Sequence, residues 1–310
     1  MELLGLDMNK GVKPLSTILF FLLTFHLGIS GIASAEAPKN SVARSGFVTS
    51  WDGAKIHEAG KISITGPHPP ASILFVPGFT MPAWIWENQI AHFYASYHVI
   101  AMDLRSQGES SKTDEGHYPA SQARDIKAVI DQLHLKPVVL VGWSMAVTEI
   151  ASYVDQFGTS GVSGIVLVDG TAGLDLTPDV IKSSFDFLKT MQTNRSEETS
   201  DFVRSMFSKQ QSEEYLQKLI KASMATPTDA AVAMGVGGFS TDNRPSLAKI
   251  DKPTLIVGAT KRLLPQFQDM QKNIPHARLE FFDDAGHALF VDDSDRFNAL
   301  LDEFLTSLKK

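Results

Sequence analysis

The 310-residue chain contains no cysteine. That excludes disulfide staples, thiol nucleophiles and thiolate metal sites. It also lacks any cluster of Lys and Arg, and its formal net charge is −7. An acidic chain without a basic patch argues against nucleic acid as a partner. Internal repeats and low-complexity tracts are absent. An apolar run of nearly membrane-spanning length, residues 15–32, is weakened as a span by His26, Gly28, Ser30 and Gly31. Lys10 and Lys13 precede it and Ala33-Ser34-Ala35 follow it. That is the order of a secretory signal peptide: charged region, hydrophobic region, small-residue cleavage site. The alternative is an uncleaved membrane anchor.

We therefore expect residues 1–35 to be removed and the mature chain to be exported, to the periplasm or the medium, without stable membrane insertion. Glu2, Asp7, Lys10 and Lys13 cancel, so removing the segment leaves the net charge unchanged. With no disulfides the mature chain must rely on its hydrophobic core, and its length is ample for one.

Residues 36–45 read as an irregular lead-in. Residues 47–50 and 55–59 read as a hairpin around Asp52-Gly53, a favoured turn pair. Short apolar strands follow at 72–76, 98–102, 138–141, 164–168, 254–257 and 279–282. Helical periodicity marks 120–133, with Ala123, Ile126, Val129, Ile130 and Leu133 on one face, and an amphipathic helix closes the chain at 294–308. Strands alternating with helices predict an α/β fold: a mostly parallel sheet with helices on both faces. Ligands then bind beyond the carboxyl ends of the strands. Residues 171–252 break the alternation with four helical stretches and no clear strand, which predicts a helical cap, or lid. The expected division is a signal peptide at 1–35, a core at 36–170 and 253–310, and a cap at 171–252.

The most informative segment is the strand at 138–141 running into Gly142-Trp143-Ser144-Met145-Ala146 and then a helix. A serine at the apex of a sharp strand-to-helix turn is a nucleophile elbow. The positions two before and two after it must be small, because strand and helix pass close there. Gly142 satisfies this, and Ala146 departs from the commoner Gly by one methyl group. Ser144, Asp169, His287 and the Pro77-Gly78 loop all follow directly on predicted strands, so they share the binding end of the sheet.

These segments carry a resemblance to the α/β-hydrolase superfamily, particularly its cap-bearing serine esterases and cofactor-free haloperoxidases. It rests on Pro77-Gly78-Phe79, the Asp-Leu-Arg-Ser-Gln-Gly-Glu-Ser run at 103–110, Gly-Trp-Ser-Met-Ala at 142–146 and Ala285-Gly286-His287. The resemblance implies Ser144 as nucleophile, His287 as base, and an oxyanion hole from the N–H groups of Phe79 and Met145. Many relatives have His-Gly where this chain has Pro77-Gly78. Proline has no N–H, but the donor lies beyond it, so the question is how the loop is braced. His57, His92, His134 and His276 read as surface or edge residues. Asp103 and Arg105 read as shaping a loop. Trp84, Trp86 and Trp143 are candidate walls of an apolar pocket, although plain core aromatics look the same in sequence. Met191, Met206, Met224 and Met234 fit either a plastic pocket or the cap's own core.

The triad acid is the departure. Relatives usually place Asp three residues after the Gly of the segment reading Val257-Gly258-Ala259-Thr260-Lys261 here, so Lys261 stands in that slot and cannot orient an imidazolium. Some relatives, a group of haloalkane dehalogenases among them, place the acid after the preceding strand. Here that residue is Asp169, which keeps the Ser–acid–His order. Asp283, Asp284 or no acid at all remain open.

The resulting expectation is a serine hydrolase cleaving carboxylic esters of small to medium apolar groups through an acyl-enzyme. No cofactor or metal is implied, since no cluster has ligand spacing. Lactone opening or perhydrolysis would use the same residues. Dehalogenation would need a carboxylate where Ser144 stands. A binding protein that kept the fold with an impaired triad is the non-enzymatic alternative, and Lys261 is the feature that favours it.

Overall fold

The computed structural model describes residues 41–63 and 71–309. The expected signal peptide lies outside the described residues. Eight strands form one sheet: β1 Ser41–Thr49, β2 Lys55–Ser63, β3 Ser72–Val76, β4 His98–Met102, β5 Val138–Trp143, β6 Val162–Val168, β7 Thr254–Gly258 and β8 Ala277–Phe281. Their order is β1-β2-β4-β3-β5-β6-β7-β8. The β1–β2 and β2–β4 pairs are antiparallel, and every other pair is parallel.

The parallel strands are short apolar runs because both faces are covered. Alternate side chains of one strand enter different cores. In β5, Val139, Val141 and Trp143 join one apolar cluster, while Val138 and Leu140 join the other. In β6, Val166 and Val168 divide from Ile165 and Leu167 in the same way. One face is packed by α2 (Pro119–Gln132), α3 (Ala146–Phe157) and α8 (Leu264–Asn273), through residues such as Ile126, Ile150 and Phe267. The other is packed by α1 (Glu87–Phe93) and α10 (Ser294–Ser307), through Phe93, Phe297 and Leu301.

The stretch between β6 and β7 holds four helices: α4 Pro178–Thr193, α5 Arg195–Ser205, α6 Glu213–Met224 and α7 Thr228–Ser240. Pro178 at the first position of α4 follows Thr177, whose hydroxyl accepts the Val180 N–H. Ser212 caps α6 through the Tyr215 N–H. Among the described residues no helix is long and apolar enough to cross a membrane.

One expectation fails at the N-terminal edge. Residues 41–45 are not an irregular lead-in but the first half of β1, which pairs with β2 from Ser41–Ser63 to Thr49–Lys55. An ion pair pins it: Arg44 Nε lies 2.7 Å from Glu58 Oε1, and Glu58 is fully buried. The strand carries no apolar run there, so hydropathy does not mark it.

The motif at 103–110 is structural, as read. Arg105 is fully buried, gives two 2.7 Å hydrogen bonds to the Asp125 carboxylate on α2, and reaches Asp52 in the hairpin turn at 2.7 Å. Asp125 also accepts from Ser50. This network ties the β1–β2 turn to α2.

Beside it Glu149 of α3 is fully buried, and neither carboxyl oxygen meets a hydrogen-bond partner among the described residues. Burial, with Asp125 nearby, raises its pKa well above the ordinary carboxylate value, so the folded state holds it neutral. The unfolded chain ionises near its ordinary value, so stability falls as pH rises above that point until the folded pKa is reached. Glu149→Met, close in volume and without the acceptors, is expected to raise the melting temperature by a few degrees at pH 8, on the basis of roughly 1–3 kcal/mol per unsatisfied buried group. The gain should shrink at pH 5. Thermal denaturation followed by circular dichroism at both pH values checks this; an unchanged or lower melting temperature at pH 8 refutes it.

Candidate active site

Ser144 is the first residue beyond β5, and α3 begins two residues later. Its φ is +59°, a conformation that costs a non-glycine residue energy and holds the side chain clear of the sheet. Close crossings enforce small neighbours. A Cβ on Gly142 would lie 2.5 Å from the Ile150 side chain and 3.1 Å from the Ala146 carbonyl. One on Gly78 would lie 2.9 Å from Ser144 Cβ, and one on Gly170 would lie 2.1 Å from the Ser144 carbonyl oxygen.

His287 lies in the loop between β8 and the short helix α9 (Leu289–Asp292), and its ring is buried. Its Nε2 stands 2.8 Å from Ser144 Oγ, and its Nδ1 stands 2.7 Å from Asp169 Oδ2. Asp169 is the first residue beyond β6, with φ +42°. Its Oδ1 accepts the N–H groups of Ala259 at 2.6 Å and Thr260 at 2.9 Å, and its Oδ2 accepts the Thr260 hydroxyl at 2.6 Å. The structure thus brings Ser144, His287 and Asp169 into one hydrogen-bonded line. Lys261 is exposed, Asp283 is exposed, and Asp284 is exposed with its carboxylate 3.3 Å from Arg296.

Phe79 and Met145 line the same cavity as Ser144 and Asp169. The Gly78 carbonyl accepts the Met81 N–H at 3.2 Å, closing a turn over residues 78–81. The amide of Phe79 belongs to the peptide unit whose carbonyl is held by that bond. The cavity measures about 90 Å³, and its walls are mainly apolar: Leu174, Phe187, Phe202, Phe239 and Leu263, with Met145. Most of these come from the stretch between β6 and β7, so that insertion builds the wall facing the serine.

The tryptophans do not. Trp143 is not among the residues lining that cavity; it shares a cluster with Val139 and Val141 and packs against Phe290 at 5.1 Å. Its indole N–H donates to the His287 carbonyl at 2.9 Å, so it anchors the histidine loop instead of contacting a ligand. Trp86 is buried and stacks on Phe290 at 3.8 Å, and Trp84 packs on Tyr215. Met191, Met206 and Met234 are buried in the core between insertion and sheet, while Met224 is partly exposed. Asp292, not singled out in the sequence, accepts the N–H groups of Gly286 at 2.8 Å and Ser208 at 2.7 Å and so ties the histidine loop to the insertion. Nothing local in the sequence signals that pairing.

His57 is likewise not a surface residue. It is buried, and its Nδ1 lies 2.7 Å from Asp103, whose hydrogen bond raises the imidazole pKa. Its Nε2 lies 3.0 Å from Ser45 Oγ. This second serine–histidine–aspartate contact differs from the first in two respects. Ser45 is exposed on a regular edge strand instead of a strained turn. Asp103 also accepts the N–H groups of Ala83 and Glu109, which makes it a brace for the loops around it.

Among the described residues no group of three or more His, Asp or Glu side chains is placed to hold a metal ion. Comparison with known proteins decides the family. The model of the alpha/beta hydrolase family matches residues 73–300. The chain belongs to this family. Within it the chain is 29% identical over 251 residues to a non-heme chloroperoxidase of Kitasatospora aureofaciens, covering 75% of this chain and 91% of the relative. It is 28% identical over 235 residues to a bifunctional esterase/perhydrolase of Acinetobacter calcoaceticus, covering 71% and 83%. The family fold is equally clear in an esterase from Exiguobacterium antarcticum, which superposes with a TM-score of 0.77 at 24% identity over 86% of this chain and all of that one.

Proposed function

We propose that this chain is a serine hydrolase that cleaves carboxylic esters of small to medium apolar groups through an acyl-enzyme. The observation that carries the reading is the unbroken line Ser144 Oγ–His287 Nε2 at 2.8 Å and His287 Nδ1–Asp169 Oδ2 at 2.7 Å, beside an apolar cavity. A serine hydroxyl is too weak an acid to attack unaided, and an imidazole within hydrogen-bond reach supplies the base. In this reading Ser144 Oγ attacks the ester carbonyl while its proton passes to His287 Nε2. Asp169 fixes the ring orientation and stabilises the imidazolium. The N–H groups of Phe79 and Met145 receive the oxyanion. His287 then protonates the leaving alkoxide, and a water activated by the same nitrogen releases the acid.

The retired-triad alternative rested on Lys261. The hydrogen bond between Asp169 and His287 favours a working acid one strand earlier. Perhydrolysis is the second reading, favoured by the relative whose name pairs esterase with perhydrolase. It needs hydrogen peroxide in place of water at the second step and the same acyl-enzyme. We read the insertion as a cap whose walls select the acyl or alcohol group. We also propose that the chain is exported, on the charge and hydropathy of residues 1–35.

Hydrolysis of a short-chain nitrophenyl ester series tests the reading. Ser144→Ala is expected to abolish turnover, and Asp169→Asn to lower kcat by about 10⁴-fold while the fold is kept. Lys261→Ala should stay within about twofold. Turnover that survives Ser144→Ala refutes the reading, and near-normal Asp169→Asn removes the acid from Asp169. A Cβ on Gly238 of α7 would touch Met145 at 3.3 Å. Gly238→Val should therefore narrow the cavity and shift preference to shorter acyl chains; an unchanged chain-length profile refutes that assignment. N-terminal sequencing of the mature protein from fractionated cells should begin after Ala35, and an intact Met1 terminus refutes cleavage.

A further inference from the structure

The loop that carries the Phe79 amide contains an unusual residue. Thr80 has φ +58° and is fully buried. Turns with a positive φ at the third residue normally place Gly or Asn there, and a β-branched side chain makes the conformation an outlier. Strain of this kind persists only where surrounding structure imposes it. The restraints are visible. Thr80 Oγ1 donates to the Phe79 carbonyl at 2.8 Å, and its remaining capacity meets the hydroxyl of Ser223 at 2.7 Å. A threonine hydroxyl has one proton, so with that proton on Phe79 the Ser223 hydroxyl is the donor to Thr80.

Ser223 is fully buried near the end of α6, inside the insertion and far in sequence from Thr80. It is fixed in turn by Arg195 at the start of α5. Arg195 Nη2 donates to the Ser223 carbonyl at 3.1 Å and to the Thr226 carbonyl at 3.4 Å. The Ser223 carbonyl also accepts the Thr226 N–H at 3.1 Å, and a guanidinium at a helix C-terminus suits the helix dipole. The chain of contacts runs from Arg195 through Ser223 and Thr80 to the main chain of Phe79.

We propose that Ser223 is a positioning residue for the oxyanion hole: the insertion, through the Ser223–Thr80 hydrogen bond, holds the strained turn that presents the Phe79 N–H. This inference rests on the serine hydrolase reading above. It also answers how a loop beginning Pro77-Gly78 is braced. Cap position and oxyanion geometry become one mechanical unit, so a shift of α6 lowers the rate of the chemical step as well as changing the pocket wall. Donors aimed at the oxyanion act mainly in the transition state, so their displacement falls on kcat more than on KM.

The test uses the full mature chain and a nitrophenyl butyrate assay of Ser223→Ala, Thr80→Val, the double variant and Thr80→Ser. Removing a whole oxyanion donor costs about 10²–10³ in kcat, so loosening one should cost about tenfold. We expect each of Ser223→Ala and Thr80→Val to lower kcat by about that factor, with KM within about twofold. The double variant should be no worse than either single one, because the two act as a unit. Thr80→Ser, which keeps the hydroxyl, should retain most of the rate. All rates are read at a temperature where melting curves show each variant folded. A Ser223→Ala enzyme with wild-type kcat, or additive losses in the double variant, overturns the inference while leaving the Ser144 assignment intact. Wild-type turnover that survives Ser144→Ala, or no turnover at all, overturns the hydrolase reading and this inference with it.

Discussion

Ser144 and Asp169 are the first residues past β5 and β6, and each still donates its N–H across the sheet. Ser144 N bonds the Val168 carbonyl at 2.8 Å, and Asp169 N bonds the Val257 carbonyl at 2.8 Å. One strand further on, Phe282 N bonds the Gly258 carbonyl, also at 2.8 Å. The parallel ladder therefore runs one step beyond the regular strands and into the loops of the site. Both strained residues, at φ +59° and +42°, sit on that last rung. Strain at such positions would relax in a free loop; here backbone hydrogen bonds on a buried sheet hold it. The same rung sets the distance between Ser144 and Asp169, since neighbouring strands have a fixed spacing of about 4.8 Å.

The histidine is held differently. It lies on a loop, so its place depends on ties outside the ladder: the Trp143 indole on its carbonyl, Asp292 on the Gly286 N–H, and the Ala288 N–H on the Met206 carbonyl at 2.9 Å. Two of those three ties involve the insertion or the element packed against it. With the Ser223–Thr80 bond, the insertion touches both sides of the site, through the histidine loop and the turn before α1. A sheet can aim two groups accurately, but closing a site around them requires a second layer.

Much of this arrangement was legible in the sequence because it is local. A buried parallel strand is a short apolar run, and a tight strand-to-helix turn demands small residues at known offsets. Those signals mark β3 to β8 and the elbow within a residue or two of their observed bounds. What was not legible depends on partners far along the chain. The first half of β1 is polar because it is an edge strand pinned by the Arg44–Glu58 pair, and no periodicity reveals an ion pair. Trp143 looks like a pocket wall until its partners, the His287 carbonyl and Phe290, more than 140 positions later, are seen. His57 looks like an edge residue until Asp103, 46 positions later, is seen beside it. The Thr80–Ser223 contact joins residues 143 positions apart, and neither residue type is unusual alone.

The position of Asp169 follows from the same geometry. Val168 of β6 is aligned with Val257 of β7, so Asp169 leaves the sheet level with Gly258. A carboxylate three residues beyond Gly258 and one directly after β6 can approach the same imidazole nitrogen from adjacent strands. Only the route differs. From the β7 side a carboxylate would stand beyond the ladder, at the start of the 3-10 helix Lys261–Leu263. From the β6 side it stands on the ladder, and the β7 loop is turned to a new use: Ala259 and Thr260 point their N–H groups at Asp169 Oδ1, and the Thr260 hydroxyl meets Oδ2. Three donors on a buried carboxylate satisfy oxygens that would be costly to leave unpaired, and they fix its orientation. Lys261 is then free to face solvent. The segment in which Lys261 stands is thus the clamp that holds Asp169 against His287.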